Sequence, residues 1–185
     1  MKRQRYVALL RGINLGNRRL RMDELRRAFE ALGLENVATF IASGNVVFDH
    51  GRSGLAALES RLEAHLESAL GFRTDTFVRG LDELADISRA DGIDVARDDG
   101  FNIHVMFLRR PPASDIVRAL GALEGPDDRF DVRGREVLWL RRGRLTDSPV
   151  KDRDLQKALG KAANTMRNLN TIEKIVAKYR RAGEV

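Results

Sequence analysis

The sequence contains no cysteine, only three histidines and few aromatic residues. Without thiols the 185-residue chain cannot form disulfides, thiolate metal sites or a cysteine nucleophile. The histidines, His50, His65 and His104, are far apart in sequence, which argues against a metal site built from histidine alone. We therefore expect a protein without a metal or another cofactor.

Long apolar runs are missing as well. The basic N-terminus is followed by an apolar run at 6–10, which is too short for the core of a signal peptide or for a membrane span. An apolar content of 43% is nevertheless typical of a globular chain with a proper core. We expect a soluble, cytoplasmic protein that does not associate with membranes.

Charge is abundant but unevenly distributed around a formal net charge of +6. Residues 1–27 carry nine Arg or Lys and two acids, whereas residues 28–132 carry ten and nineteen. Basic residues again exceed acids from residue 133 to the C-terminus, so two basic ends flank an acidic middle. If the ends meet, they form a surface that attracts phosphates or carboxylates. Genomic codon bias is an equal explanation, because 27 of the 33 basic residues are Arg.

The first half of the chain predicts the element order β-α-β-β-α-β. An apolar run at 7–11 is typical of a strand, and apolar residues then recur at helical spacing from Met22 until Gly33. A leucine repeat after Ser53 predicts a second helix, which Gly71 ends. The other three strands are predicted at 36–40, 42–48 and 74–79. This order is the split βαβ, or ferredoxin-like, pattern.

The second half predicts the same kind of architecture after a boundary near residue 90. A connecting helix is expected at 81–89 and a loop at 90–100, where Asp and Gly are frequent. The remaining elements are predicted as a strand at 101–108, a helix at 114–121, a hairpin of 130–132 and 136–140, and helices at 152–159 and 171–179. We therefore predict an α+β protein of two tandem ferredoxin-like halves (α-β plaits), residues 1–90 and 91–185, with closing C-terminal helices.

Two polar motifs lie at the ends of predicted strands in the first half: Arg-Gly-Ile-Asn at 11–14 and Ser-Gly-Asn at 43–45. In a ferredoxin-like sheet the first and third strands are antiparallel neighbours, which brings the two motifs to one edge. Arg11, Asn14, Ser43 and Asn45 should gather there, where glycines allow backbone N–H groups to approach an anion. A purely structural role, in which these side chains satisfy buried backbone groups, predicts the same arrangement.

A further polar group precedes the last predicted helix. Asn170 as N-cap with Glu173 three residues on forms a capping box, which explains both residues without a ligand. Capping does not explain Arg167 and Asn168, and a helix start can hold an anion. These two residues are therefore candidates for a ligand-binding or interdomain site.

The motifs together resemble those of a bacterial family known as domain of unknown function 1697. The similar segments are Leu-Leu-Arg-Gly-Ile-Asn-x-Gly (9–16), Ser-Gly-Asn-Val-Val-Phe (43–48), Trp139 followed by Ser148, and Thr-Met-Arg-Asn-Leu-Asn-Thr (165–171). Leu169 departs from the family pattern, which has an aromatic residue there, so stacking at this position is not expected. The resemblance covers essentially the whole chain and implies two ferredoxin-like halves, but no activity.

Other patterns favour ordinary structural roles. His104 alternates with Asn102 on a strand but has no neighbouring Ser or acid that would complete a catalytic triad. An RNA-recognition module stacks bases on aromatic residues of its central strands, and such residues are absent from the central strands predicted here. Nucleic-acid binding would therefore depend on phosphates alone. Two charged stretches predict solvated turns: Asp127, Asp128 and Asp131, and Arg141-Arg142-Gly143-Arg144. A phosphate-binding patch is the alternative for the arginine stretch.

We interpret the chain as a non-enzymatic binding protein, because no catalytic constellation is recognised. Its polar residues would hold an anionic ligand, either a nucleotide-like metabolite or a nucleic-acid backbone. One alternative is a small-molecule enzyme that uses the same Arg, Asn and Ser residues as an anion clamp. Another is a protein–protein interaction module built on an open sheet face. The sequence predicts neither the ligand nor the oligomeric state.

Overall fold

The computed structural model describes residues 3–13, 20–41, 44–51 and 54–180. The chain divides into two compact units, Met1–Ala85 together with Ile175–Val185, and Asp86–Lys174. Each unit contains one four-stranded antiparallel sheet. Among the described residues, no helix combines the length and hydrophobicity that a membrane span requires.

Among the described residues, the first unit contains four strands and two complete helices: β1 (Arg3–Leu10), α1 (Met22–Ala31), β2 (Glu35–Phe40), β3 (Asn45–Gly51), α2 (Leu55–Leu70) and β4 (Thr76–Gly80). Helix α3 (Leu81–Ser88) begins in this unit and ends in the second. The strand order is β2-β3-β1-β4. Leu25 and Phe29 lie one turn apart on α1 and are fully buried against the sheet, where the Phe29 and Phe48 rings are 5.8 Å apart. Helix α2 ends at Gly71, whose φ of 74° is a left-handed conformation that glycine adopts without strain.

The second unit follows with four helices and four strands: α4 (Ile93–Asp98), β5 (Phe101–Leu108), α5 (Ser114–Gly121), β6 (Asp128–Arg133), β7 (Glu136–Arg142), α6 (Asp152–Leu159), β8 (Asn164–Asn168) and α7 (Leu169–Tyr179). Residues of α7 from Ile175 onward belong to the first unit. The strand order is β6-β7-β5-β8, which repeats the order of the first sheet. Helices α5 and α6 cover a core that contains Met106, Leu120 and Trp139.

The predicted ferredoxin-like pattern is confirmed in both sheets, with three differences in the second unit. The expected loop at 90–100 contains α4, which buries Ile93 and Ala96. Strand β8 was not predicted, because its sequence Asn-Thr-Met-Arg-Asn lacks apolar alternation; pairing with β5 makes it a strand. Helix α7 begins at Leu169, so Asn170 lies inside the helix and is not its N-cap.

Three carboxylates cover the outer edge of β4, which pairs with β1 on one side only. The backbone N–H groups of alternate residues Thr76, Val78 and Gly80 donate to Glu63, Glu59 and Glu83 over 2.7–2.8 Å. Backbone N–H groups on a free strand edge can pair with another chain, and the carboxylates occupy them. This edge is therefore closed to sheet extension.

Candidate functional site

The two polar motifs of the first half meet as predicted. Leu9 lies opposite Asn45 across strands β1 and β3, and the Leu10 N–H donates to the Gly44 carbonyl over 2.8 Å. Two members of the predicted cluster, Asn14 and Ser43, lie outside the described residues. The structure thus places the backbones of the Arg11 and Asn45 segments at one edge of the first sheet.

Arg11 lies at the solvent-facing end of β1. Its side chain is 46% exposed, and its guanidinium is 3.6 Å from the carboxylate of Asp75. The backbone of the same residue is fixed on both sides: its N–H donates to the Asp75 carbonyl, and Thr74 Oγ1 donates to the Arg11 carbonyl over 2.8 Å. The main chain is therefore held firmly, while the charged group remains accessible.

Asn45 has the opposite environment. Its side chain is completely buried and donates through Nδ2 to the carbonyl of Phe40 over 3.2 Å. Gly44 before it has a φ of 76°, and a Cβ there would lie 3.1 Å from the Ile13 side chain and 3.2 Å from the Leu10 carbonyl oxygen. Only glycine fits this turn without strain. The hydrogen bond of Asn45 and the close surroundings of Gly44 are those of a tightly packed turn.

Arg167 and Asn168 lie at the end of β8 in the second unit. The Arg167 guanidinium donates to Thr165 Oγ1 and to the Met166 carbonyl over 2.9 and 2.8 Å. Burial lowers the pKa of Arg167 to about 10, so the side chain is still charged at neutral pH. Asn168 Oδ1 accepts the N–H of Asn170 over 2.9 Å, which is the interaction of an N-cap residue. Asn168 therefore caps α7.

A pocket of about 330 Å³ opens beside this cap, and we call it the amide pocket. It is lined by Arg97, Gly100, Phe101, Asn102, Ile103, Asn168 and Asn170. Arg97 is held in place by Glu173 over 2.7 Å and by Asn170 Oδ1 over 3.4 Å. Glu173, predicted to belong to a capping box, thus binds an arginine instead. The pocket brings Asn168, a predicted site residue, together with Asn102 and with Asn170, which the sequence predicted only as a helix cap.

The side-chain amides of the pocket have hydrogen-bonding groups to spare. Asn102 uses Nδ2 to bind the Gly143 carbonyl over 2.9 Å, and Asn168 uses only Oδ1. The Nδ2 groups of Asn168 and Asn170 have no hydrogen-bond partner among the described residues. With the Arg97 guanidinium, these groups form a donor-rich surface, which suits an acceptor-rich ligand.

Two further arginines lie on the ring of Phe101. The guanidinium carbons of Arg129 and Arg142 are 5.0 and 4.8 Å from the ring centroid, and we call these residues the arginine pair. The side chains come from two different strands, β6 and β7, so their proximity depends on strand register and was not predicted. The amide pocket thus has positive charge next to its aromatic wall.

Asp128 corrects the prediction of a solvated acidic turn. It is 2% exposed, and its carboxylate accepts hydrogen bonds from Trp139 Nε1, Ser148 Oγ and the Arg141 guanidinium over 2.8–3.0 Å. Arg141 is buried too, whereas Asp127 beside it is half exposed. The predicted solvated turns therefore contain a buried ion pair that holds the loop at Ser148 to the sheet.

A larger pocket of about 710 Å³ borders Trp139 of this network. It is lined by Trp139, Leu145, Thr146, Val150, Lys151, Asp152 and Arg153. Its charged residues are two basic and one acidic, and Arg153 is 3.7 Å from Asp154. Nothing in this set of side chains selects a ligand class.

His104 lies opposite Trp139 and Asn168 in the second sheet. Burial lowers its pKa, and its Nδ1 makes no hydrogen bond to any described residue. Within the described ranges, no three His, Asp or Glu side chains are grouped as metal ligands.

Comparison with known proteins identifies a family and a fold. Residues 3–138 match the family described as "Protein of unknown function (DUF1697)". A conserved bacterial protein from Streptococcus pneumoniae has a similar structure, with a TM-score of 0.76, 22% sequence identity and coverage of 97% of this chain and 100% of that one. No curated protein matches the chain. At this identity the structural likeness shows the shared fold alone.

Proposed function

This chain belongs to the family of proteins of unknown function 1697, and we propose that it is a non-enzymatic binding protein that holds an anionic small molecule in the amide pocket. The observation that carries the proposal is the concentration of unused donors in one cavity: the Nδ2 groups of Asn168 and Asn170 beside the Arg97 guanidinium. The cavity volume is about that of the smaller ligand pockets in proteins, roughly 300 Å³.

The chemistry of the lining residues supports binding rather than turnover. Amides and guanidinium groups donate hydrogen bonds to anionic oxygens and keep the same protonation state around neutral pH. Asn168 is also the N-cap of α7, so the positive end of the helix dipole lies at the same place. The pocket therefore provides several weak attractions that act on one anion.

The proposal includes a bacterial and cytoplasmic setting. The structural relative comes from a bacterium, and a chain without cysteine suits a reducing compartment. The partner that we propose is a small molecule. A nucleic-acid backbone would instead be held by surface charge, and its binding would weaken strongly as the salt concentration rises, which distinguishes the two.

A thermal-shift screen of anionic metabolites, nucleotides and short RNA at two salt concentrations tests this function. We expect at least one small anion to raise the melting temperature at both salt concentrations. The variant Asn170→Asp should abolish that rise, because its carboxylate repels an anion in the pocket. The fold should be preserved, because an acidic residue is favourable in the first turn of a helix. Gln156→Glu, which makes the same chemical change on an exposed position of α6, should preserve the rise.

The other outcomes favour other functions. A rise that any polyanion causes and that high salt removes would contradict a specific pocket and indicate nonspecific electrostatic binding. Conversion of a bound compound would support the enzyme hypothesis instead. If the rise survives Asn170→Asp, the amide pocket is not the binding site.

A further inference from the structure

Arg129 and Arg142 differ from the other arginines around them. On the β6–β7 hairpin and the loop that follows, four arginines each lie 2.6–3.9 Å from a carboxylate oxygen: Arg133, Arg135, Arg141 and Arg144. Arg129 and Arg142 form no ion pair with any described residue. The neighbouring carboxylate of Asp127 is 3.9 Å from Arg141. The arginine pair therefore carries two charges that no ion pair with a described residue compensates.

Strand register brings these two charges to the same side of the second sheet as Phe101. Arg142 lies directly opposite Phe101 on β7. Arg129 lies opposite Leu140, which faces Ile103. Because residues two apart on a strand share a face, all these side chains lie on one face. Phe101 also lines the amide pocket, so the same residue borders both the pocket and the arginine pair.

The ring alone does not explain the arrangement. An aromatic face attracts a guanidinium but does not neutralise it, and two guanidinium groups on one ring repel each other. A phosphate dianion offsets both charges and accepts the paired N–H donors of each guanidinium. Asn102 and Asn168 belong to the opposite face of the sheet, so a ligand with its phosphoryl group here reaches the amide pocket by extending past Phe101 at the start of β5.

We propose that the ligand is a small phosphate monoester, a nucleoside phosphate or a sugar phosphate. Its phosphoryl group binds the arginine pair, and its body, rich in hydroxyl or amide groups, occupies the amide pocket. This inference rests on the proposed function and specifies its ligand class. The positive charge of the pair supplies the affinity for the phosphoryl group, and the amides recognise the rest of the molecule.

Isothermal titration calorimetry with matched compounds tests the proposal. The probes are phosphate monoesters and their parent alcohols: adenosine monophosphate and adenosine, cytidine monophosphate and cytidine, and ribose 5-phosphate and ribose. We expect at least one monoester to bind the wild-type protein about tenfold or more tightly than its parent, which corresponds to about 1.4 kcal/mol. The double variant Arg129→Gln/Arg142→Gln should remove this difference, so that monoester and parent alcohol bind with equal affinity.

The control variant is Arg144→Gln, which removes a nearby exposed arginine that is paired with Asp147. It should keep the preference for the monoester. Two results would overturn the proposal: equal binding of monoester and parent alcohol, or a preference for the monoester that survives in Arg129→Gln/Arg142→Gln. Either result would do so even if Asn170→Asp still abolishes binding. If no compound of this set binds the wild-type protein, this inference falls, while the thermal-shift screen of other anions decides the proposed function, so the two failures can be told apart.

Discussion

The buried ion pair of Asp128 and Arg141 allows a sharp test of the second unit. The two side chains are 2% and 7% exposed, and their oxygen and nitrogen atoms are 3.0 Å apart. Asp128→Asn keeps the size and one acceptor oxygen for Trp139 and Ser148, but leaves the Arg141 cation without its buried counter-charge. Removing one partner of a buried pair typically costs about 3–5 kcal/mol. We expect about 3 kcal/mol here, because two carbonyl groups also accept hydrogen bonds from Arg141.

The neighbouring residue provides the matched control. Asp127 is 3.9 Å from the same guanidinium, but its side chain is 48% exposed. Asp127→Asn should therefore cost about 0–1 kcal/mol, as for other exposed ion pairs. Chemical denaturation with urea, followed by tryptophan fluorescence, measures both variants, because Trp139 is the single tryptophan and is bonded to Asp128.

A double variant separates charge from packing. In Asp128→Asn/Arg141→Met the unpaired buried cation is gone, so we expect much of the lost stability to return. The reasoning is refuted if Asp128→Asn and Asp127→Asn reduce the free energy of unfolding equally. It is also refuted if the double variant is less stable than Asp128→Asn.

Three further predictions concern other buried or half-exposed groups. Burial lowers the pKa of His104 below 6.5, so the unfolded chain binds its proton first as the pH falls, and stability is lost below about pH 6.5. In urea unfolding at pH 7 and pH 5, His104→Gln should therefore lose less free energy of unfolding on acidification than the wild-type protein; equal losses would contradict this. Glu59→Gln removes a charge 3.9 Å from the fully buried Arg79 and should cost about 1–3 kcal/mol in urea unfolding, whereas Glu67→Gln on the exposed side of the same helix should change the free energy of unfolding by less than about 0.5 kcal/mol. Arg11→Ala removes a half-exposed ion pair and should change the melting temperature little, with a cost of about 0–1 kcal/mol; a large drop would instead assign Arg11 a structural role.

The fold could be predicted wherever one segment carries a strong pattern of its own. The apolar spacing of α1 and the leucine repeat of α2 place both helices, and β5 and α5 have the predicted bounds. Strand β8 could not be predicted in this way, because its five residues include only one apolar side chain, Met166. Its conformation depends on pairing with β5, which sequence spacing does not reveal. Helix α4 was missed for a related reason: two buried residues, Ile93 and Ala96, outweigh the Asp and Gly residues around them.

The candidate site was harder to predict, as Arg141 and Arg142 show. In the sequence they are adjacent members of one basic tract, and a count of charges treats them alike. Successive side chains of a strand point to opposite faces, so Arg141 of β7 contacts Asp128 on one face and Arg142 contacts Phe101 on the other. The first forms a buried structural ion pair, and the second stays exposed on an aromatic ring, with no ion pair to any residue in the described part of the chain. Which arginine is available to a ligand is therefore decided by strand register, through residues that are distant in the sequence.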